Sequence, residues 1–280
     1  MTTVVLEEVN DGVAVLTLNR PERLNAWTAE MHRCYFDLLS ECAASPDVRA
    51  IVLTGAGRGF CAGADMDDLQ AIGAGELEGA RAQQDPRPHT FPLTIPKPII
   101  AAINGPCAGL GLVHALMCDL RLAAEDAKLT TAFARRGLVA EHGISWILPR
   151  LIGPARALDL LLSGRVVLGA EAAQLGMVNR ALPAERVLDE AVAYAGELAT
   201  NCAPSSMAAM KSQVYADLAR DLGAALENAN RLMAKSFSAP DFAEGVASFV
   251  ERRAPAFRPL GRTNGAGASA PESSEAVSSG

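Results

Sequence analysis

The sequence predicts an α/β fold followed by an all-helical region, and three observations support this prediction. Short apolar runs of strand length, such as Arg49–Thr54 and Ile99–Ile103, alternate with segments of helical apolar spacing. Glycine-rich turns follow both runs, as is typical where buried strands end. From Arg186 onwards the pattern favours only helices, which prolines and one glycine separate.

Composition excludes several classes of function. The chain has 280 residues, of which 50% are hydrophobic and 20% charged, so it is long enough to bury a substantial core. Its formal net charge of −7 argues against a nucleic-acid partner. The N-terminus lacks a basic segment followed by an apolar one, and no apolar run reaches membrane-spanning length. We therefore expect a cytoplasmic protein with no membrane partner.

Cysteine and histidine usage gives no sign of a metal site. The six cysteines lie mostly within apolar runs and have no paired spacing, which is typical of buried thiols in an intracellular protein. The four histidines are scattered along the sequence. We therefore expect no disulfide framework and no bound metal.

The N-terminal elements follow from local pattern. Val4–Val9 and Val13–Asn19 are apolar or alternating runs on either side of an Asp-Gly turn, which predicts a β-hairpin. A polar loop follows the second strand. Thr28–Ala44 has apolar residues at helical spacing and ends at a Ser-Pro pair, so we expect a helix there.

The stretch Pro98–Asp119 combines a buried strand, a break at Asn104–Pro106, the glycine-spaced segment Ala108–Gly111 and an apolar helical run. A helix that starts after such a turn leaves its first N–H groups unpaired, with a partial positive charge behind them. That arrangement binds an anion or an oxyanion without any charged side chain. A tight turn that only packs a helix on a strand is the alternative, and this stretch alone leaves both open.

A second turn of similar character spans Phe60–Met66, where small residues let a ligand approach the main chain closely. The following stretch, Gly73–Pro96, is rich in glycine, proline and charge, which favours a mobile flap over a site. Its His89 either faces that site or, as we expect, lies on the surface of the loop.

The remaining elements alternate in the same way. Strands are expected at Leu120–Ala123, Lys128–Thr131 and Met177–Leu182, and helices at Ile144–Ile152, Pro154–Leu162 and Ala170–Leu175. Residues 261–280 form a low-complexity segment that we expect to be disordered.

Six segments, in order and with matching spacing, resemble the enoyl-CoA hydratase/isomerase (crotonase) superfamily over about residues 4–258. They are Arg20–Ala26, Gly59–Asp65, Pro98–Asp119, Ser163–Arg165, Pro204–Lys211 and Glu244–Arg253. The resemblance implies a crotonase-type spiral of β-β-α units in residues 1–200 and a helical subdomain in residues 201–260 that mediates homotrimers or dimers of trimers. It also implies acyl-CoA thioester substrates and no cofactor, because coenzyme A is part of the substrate.

The resemblance also assigns residues to roles. The backbone N–H groups of Ala64 and Leu110 fall where the family binds the thioester oxygen. Developing charge on that oxygen makes each donor worth roughly 3–4 kcal/mol. The positions that it places in contact with coenzyme A or the acyl group are Arg23, Leu24, Ala26, Ala62, Asp65, Met66, Gly109, Val113 and Phe133. Among these, Asp65 is also expected to cap the helix that follows the Ala64 turn.

Two of these positions depart from the hydratase pattern. Hydratases use two carboxylates, one to activate water and one to protonate carbon. Aligning the family motifs places Val113 and Phe133 at those positions, and neither side chain transfers a proton. Glu141, however, lies eight residues after Phe133, where isomerases of the superfamily that act on ring-opened phenylacetate and dienoyl-CoA esters carry an aspartate.

One carboxylate suits a proton shift between two carbons, so the first interpretation is an enoyl-CoA isomerase with Glu141 as the base. The alternatives are a hydratase in which Glu141 alone positions water, an aryl-CoA dehalogenase in which it attacks the ring, and a CoA-ester binding protein without catalysis. Glu141 as a helix cap without chemistry also stays open. His114 and His142 are further titratable candidates, expected instead to be core or interface residues.

Overall fold

The computed structural model describes residues 3–73 and 85–260, and it confirms the α/β fold with a helical C-terminal region. The strands are β1 (Val5–Asn10), β2 (Val13–Leu18), β3 (Ala50–Gly55), β4 (Ile99–Ile103), β5 (Cys107–Ala108), β6 (Leu120–Ala124), β7 (Lys128–Thr130), β8 (Val167–Leu168) and β9 (Arg180–Leu182). The helices are α1 (Ala29–Ala44), α2 (Met66–Gly73), α3 (Leu110–Leu116), α4 (Ile144–Ile152), α5 (Pro154–Ser163), α6 (Gly169–Leu175), α7 (Val187–Asn201), α8 (Pro204–Asp217), α9 (Leu222–Phe237) and α10 (Pro240–Glu251).

Six strands form the main sheet in the order β1-β2-β3-β4-β6-β9. The β1–β2 pair is antiparallel and the other pairs are parallel. A smaller sheet has the order β5-β7-β8. Because β3 and β4 are parallel neighbours in the main sheet, the turns that follow them leave the same edge, and this places the two predicted site turns side by side.

The hairpin forms as the sequence predicts, with Asn10 paired to Val13 at its tip. Asp11 and Gly12 both have positive φ, +48° and +82°, as a two-residue turn of the favoured hand requires. Helix α1 begins after Thr28, whose side chain accepts a hydrogen bond from the Met31 N–H and caps the helix.

The core lies between the main sheet and its helices. Strands β3 and β4 are buried along their whole length, which explains why their sequences are continuously apolar and do not alternate. Helix α7 packs across four strands of the sheet through a face of buried small residues, Ala191, Ala195 and Ala199. Small side chains allow the helix to approach the strands closely. Helix α7 therefore covers one face of the sheet from which the two site turns leave.

Helices α8, α9 and α10 differ from the rest because they bury little of their surface within the chain. Their large apolar side chains include Leu222 and Phe249, which are 84% and 85% exposed. One buried attachment exists on α8, where Lys211 Nζ lies 2.7 Å from Asp119 Oδ2 and the Tyr215 hydroxyl donates to Asp119 Oδ1 at 3.0 Å. The boundary near residue 200 between a spiral core and a separate helical subdomain stays a prediction.

The structure differs from the sequence-based expectations mainly at element ends. The strand expected at Met177–Leu182 is shorter, because it pairs with β6 only from Arg180 onwards. The low-complexity segment 261–280 lies outside the described residues, as does the middle of the Gly73–Pro96 stretch. Within the described helices, no segment combines the length and the apolar character that crossing a lipid bilayer requires.

Candidate functional site

The two glycine-rich turns lie directly against each other. Cys61 and Cys107 form an isolated parallel bridge, in which the Ala108 N–H donates to the Cys61 carbonyl at 3.0 Å. The N–H groups of Phe60 and Cys61 both donate to the Pro106 carbonyl at 3.1 Å. These bonds fix the first turn on the second, so the main chain at residue 64 and the start of α3 belong to one rigid unit.

Glycine is required where the turns touch. Gly63 has φ +102°, and a side chain there would meet the Ala108 carbonyl oxygen at 3.0 Å. Gly111 lies on α3 with no room at all, because a Cβ would lie 2.3 Å from the Cys61 carbonyl oxygen. Gly109 caps α3 with φ +49° and ψ −118°, a conformation open to glycine. The close approach of the two turns therefore depends on these three residues.

Two main-chain donors remain free at this contact. Among the described residues, neither the Ala64 N–H nor the Leu110 N–H has a hydrogen-bond acceptor. The neighbours of Ala64 are engaged, since Trp27 N–H donates to Gly63 O at 2.7 Å and Asp65 N–H donates to Trp27 O at 3.0 Å. Leu110 is the first residue of α3, where an unpaired N–H is expected. Both donors belong to residues that line one cavity.

That cavity has a volume of about 280 Å³. Ten of the residues that the sequence singled out line it: Arg23, Ala26, Ala62, Ala64, Asp65, Met66, Gly109, Leu110, Phe133 and Glu141. Two others do not. Val113 is wholly buried on α3, facing the core, and Leu24 acts through its carbonyl, which accepts the Ala62 N–H at 3.0 Å. The substrate contacts assigned to these two side chains find no support in the cavity.

Two carboxylates of the described residues line the cavity, and one of them, Asp65, is already engaged. Its side chain accepts from the Asp67 N–H at 3.1 Å, which caps α2 as expected, and lies 2.9 Å from the Arg20 guanidinium. Burial raises the pKa of this carboxyl, but the hydrogen bonds from Asp67 and Arg20 outweigh that effect, and the net pKa is lowered. Asp65 is therefore a fixed anion that holds the turn in place.

Glu141 is the other carboxylate, and no ion pair to a described lysine or arginine engages it. It lies two residues before Gly143, the N-cap of α4, and its carbonyl accepts the Ile144 N–H at 3.1 Å. Its carboxylate is 37% exposed, and Oε2 lies 3.3 Å from His142 Nε2.

The histidines are gathered behind Glu141. The expectation that His89 is a surface residue is wrong, because it is partly buried and its Nδ1 lies 2.9 Å from His114 Nε2. His114 is fully buried, as expected for a core residue, and stacks on Trp27 with ring centroids 3.7 Å apart. His142 is not a core residue, since its side chain is 31% exposed beside Glu141.

Sequence reasoning missed several residues of the cavity wall. Apart from Gly63, these are Leu69, Thr131, Ala132, Arg136 and Leu138. Most belong to the loop between β7 and α4, in which the sequence analysis singled out only Phe133, Glu141 and His142. Arg136 adds a cation to a cavity that already has one from Arg23. Arg136 lies between Phe133 and Glu141 in the sequence, and this position in a short loop between two assigned residues is the signal that could have identified it.

The rest of the titratable groups give no second centre of chemistry. In residues 3–73 and 85–260, no three histidine, cysteine or acidic side chains are arranged to hold a metal ion. All six cysteines are free, and burial raises the pKa of the Cys61 thiol to about 12. That thiol is therefore protonated at neutral pH and not a nucleophile.

Known proteins are similar to this chain over most of its length. Residues 8–259 match the family model described as enoyl-CoA hydratase/isomerase. Among curated proteins, the chain is 35% identical to a 1,2-epoxyphenylacetyl-CoA isomerase of Escherichia coli, covering 92% of this chain and 99% of that protein. It is 38% identical to a probable enoyl-CoA hydratase of Rhodobacter capsulatus, covering 89% of this chain and 96% of that protein.

Solved structures show the same similarity. An enoyl-CoA hydratase from Polaromonas sp. JS666 superposes with a TM-score of 0.85 at 31% identity, covering 91% of this chain and 99% of that one. The fold and the matched length thus agree over nearly the whole described chain.

Proposed function

The chain belongs to the enoyl-CoA hydratase/isomerase family, whose members act on acyl-CoA thioesters, and we propose that it moves a double bond within an enoyl-CoA with Glu141 as its base. The observation that carries this proposal is the cavity, which is lined both by the residues of the two unpaired main-chain donors and by Glu141, a carboxylate that no described lysine or arginine pairs with. The reaction is a proton transfer, so the proposal requires no cofactor, and coenzyme A enters as part of the substrate.

In this mechanism the Ala64 and Leu110 N–H groups bind the thioester oxygen. Removal of a proton from the acyl chain places negative charge on that oxygen, and fixed donors aimed at it stabilise the transition state more than the substrate. Main-chain donors in a turn held by Gly63 and Gly111 need no reorganisation when the charge develops.

Glu141 then takes a proton from one carbon and returns it to another. Asp65 does not compete for this role, because the Arg20 guanidinium and the Asp67 N–H hold it. Val113 and Phe133 offer no second acid at the positions that hydratases use, which favours a reaction that needs a single carboxylate. Arg23 and Arg136 supply positive charge in the same cavity for the anionic end of the CoA ester.

The test is Glu141→Gln, which keeps the shape of the side chain and removes the base. We expect turnover of a panel of 3-enoyl-CoA esters to fall by about 10²–10⁴-fold. Binding of a CoA ester, measured by calorimetry, is expected to persist because the oxyanion donors are main chain. A variant that isomerises at the wild-type rate would contradict the proposal and leave Glu141 as a helix cap.

Hydration is the second candidate, and the contact of Glu141 with His142 at 3.3 Å favours it because a second titratable group then lies directly behind the carboxylate that lines the cavity. Mass spectrometry of the product separates the candidates. Isomerisation leaves the mass unchanged and hydration adds the mass of one water. Release of halide from an aryl-CoA would indicate the dehalogenase reaction. Binding of a CoA ester without any product would indicate a CoA-ester binding protein.

We also propose that α8–α10 form contacts between subunits of a homotrimer or a dimer of trimers. The support is their exposed apolar surface, which includes a groove of about 410 Å³ on α10 between Phe242 and Phe249. Surfaces of this kind are rarely left in contact with water. Sedimentation at micromolar concentration is expected to give several times the mass of one chain, and a mass near that of one chain would contradict this.

A further inference from the structure

All four histidines of the chain lie in one cluster that begins at Glu141. His142 is next to Glu141, and its ring centroid is 4.0 Å from that of His89. His89 in turn lies 4.6 Å, centroid to centroid, from His32 on α1. Its Nδ1 lies 2.9 Å from Nε2 of His114 on α3. The cluster therefore joins the carboxylate on the cavity wall to the interior of the protein.

The inner end of this cluster is closed to water. His114 is fully buried under the stacked ring of Trp27, with Tyr35 edge-on at 5.8 Å. The outer end is open, because the His142 side chain is 31% exposed. The histidine that contacts Glu141 is therefore itself open to water.

We propose that His142 is a proton relay for Glu141, which exchanges the proton that Glu141 removes from the acyl group with solvent. The inference rests on the proposed isomerisation. The C–H bond breaks and its electron pair stays in the enolate, while the proton forms an O–H bond on Glu141. That O–H bond then breaks as an N–H bond forms on His142 Nε2, which leaves carboxylate and imidazolium. The imidazolium releases this Nε2 proton to water and takes up a solvent proton at the same nitrogen. That proton passes to Glu141 and then forms the new C–H bond on the second carbon of the enolate, which leaves Glu141 ionised and His142 neutral as at the start.

A relay of this kind must begin neutral, and its surroundings keep it so. Burial lowers the pKa of His142, and the neighbouring Glu141 carboxylate opposes that effect without reversing it. The groups that face the cluster are Glu141 from the same loop, His89 with the Asp85–Arg87 pair from the segment before β4, His32 from α1 and His114 from α3. The pKa of each of the three other histidines is also lowered, mainly by burial, so the cluster is uncharged at neutral pH.

The test is the isotope content of the product after turnover of a 3-enoyl-CoA in deuterated water. In the wild type we expect solvent deuterium in the product, because the relay exchanges the proton before it returns to carbon. In His142→Gln the side-chain amide is of similar reach but accepts no proton from Glu141 at neutral pH. Deuterium incorporation per turnover is then expected to fall by about tenfold, with more of the substrate's own proton retained.

His32→Gln is the matched control, because its amide retains the hydrogen bond that His32 Nε2 makes to the Arg87 carbonyl at 3.2 Å and it has no contact with Glu141. This variant is expected to incorporate deuterium as the wild type does. Because His142 has φ +55°, His142→Asn serves as a second variant if the glutamine protein does not fold. Melting curves establish that each variant is folded.

The outcomes separate this proposal from the proposed function. A folded His142 variant that turns over more slowly but incorporates deuterium as before would overturn the relay and leave a structural role. Wild-type isomerisation without solvent deuterium would overturn the relay alone. Exchange of the α-protons of butyryl-CoA is measured in parallel. If that exchange occurs without isomerisation, the proposed function fails, but the effect of the His142 substitution on the exchange rate can still be measured. Absence of both reactions overturns both proposals.

Discussion

The turn wall of the cavity, residues 61–66 and 107–111, offers main-chain groups, whereas the acid wall, residues 133–142 with the histidines behind it, offers side chains. The turn wall has no freedom, since Gly111 leaves no space for even a methyl group against Cys61. The acid wall is a loop whose Glu141 and His142 are 37% and 31% exposed. One wall is fixed by packing, and the other is placed at the surface.

This difference teaches how each wall tolerates change. A main-chain donor persists whatever side chain the residue carries, so leucine is acceptable at position 110, where the N–H is the group proposed to bind the thioester oxygen. A carboxylate has no such protection, and an isosteric amide at Glu141 removes its function. Loss of function at the turn wall therefore requires a substitution that removes a main-chain N–H, whereas at the acid wall a change of side chain is enough.

The largest effect expected after loss of the base comes from Leu110→Pro. Proline lacks an N–H but is well tolerated at the first position of a helix, which Leu110 occupies in α3. We expect kcat to fall by about 10²–10³-fold while the fold is retained. Steady-state kinetics together with circular dichroism check this result.

Leu110→Ala is the matched control, because it shortens the side chain and keeps the donor. Turnover is expected to stay within about one order of magnitude of the wild type. If the alanine and proline variants lose activity equally, the side chain of Leu110 matters and the main-chain assignment is wrong.

A smaller effect is expected from acid on the histidine cluster. Burial, reinforced by His142 and His32, lowers the pKa of His89 from 6.5 to about 3. Between these values the unfolded chain binds a proton that the folded chain does not, so stability rises with pH in this window. The contribution of His89 is complete above pH 6.5 and is lost as the pH falls, by up to about 1.4 kcal/mol per pH unit.

Urea unfolding at several pH values between neutrality and the range where carboxylates titrate measures this dependence. His89→Gln removes the titrating group, so its free energy of unfolding is expected to fall less steeply on acidification than that of the wild type. Parallel curves for the two proteins would show that His89 takes up its proton in the folded state as readily as in the unfolded chain.

Much of the fold follows from local pattern. The hairpin at Asp11 and Gly12, the Thr28 cap and the buried strands β3 and β4 all arise from interactions between near neighbours or from continuous burial. The shortened β9 does not, because its start depends on where β6 offers partners. Pairing across a sheet depends on both strands, so the residues of one strand do not predict where its pairing begins.

The candidate site divides in the same way. The resemblance to the family assigned Ala64, Leu110 and Glu141 to the site, and all three line one cavity. It also placed Val113 there, which the structure turns towards the core. Helical rotation decides which side of α3 faces the cavity, and a position in a motif does not specify that rotation. Arg136 was missed because only the folded loop brings it to the cavity.

The sequence by itself determined the α/β class and the two glycine turns, because residue type and near spacing are enough for these. That the usual hydratase carboxylates are missing was implied by the family resemblance. Only the tertiary structure decided that four histidines scattered along the chain meet behind Glu141. Their meeting depends on how α1, α3 and two loops pack together, and packing between distant segments leaves no periodic trace in the sequence. Burial in that packing, and not the residues' spacing, is also what lowers their pKa values.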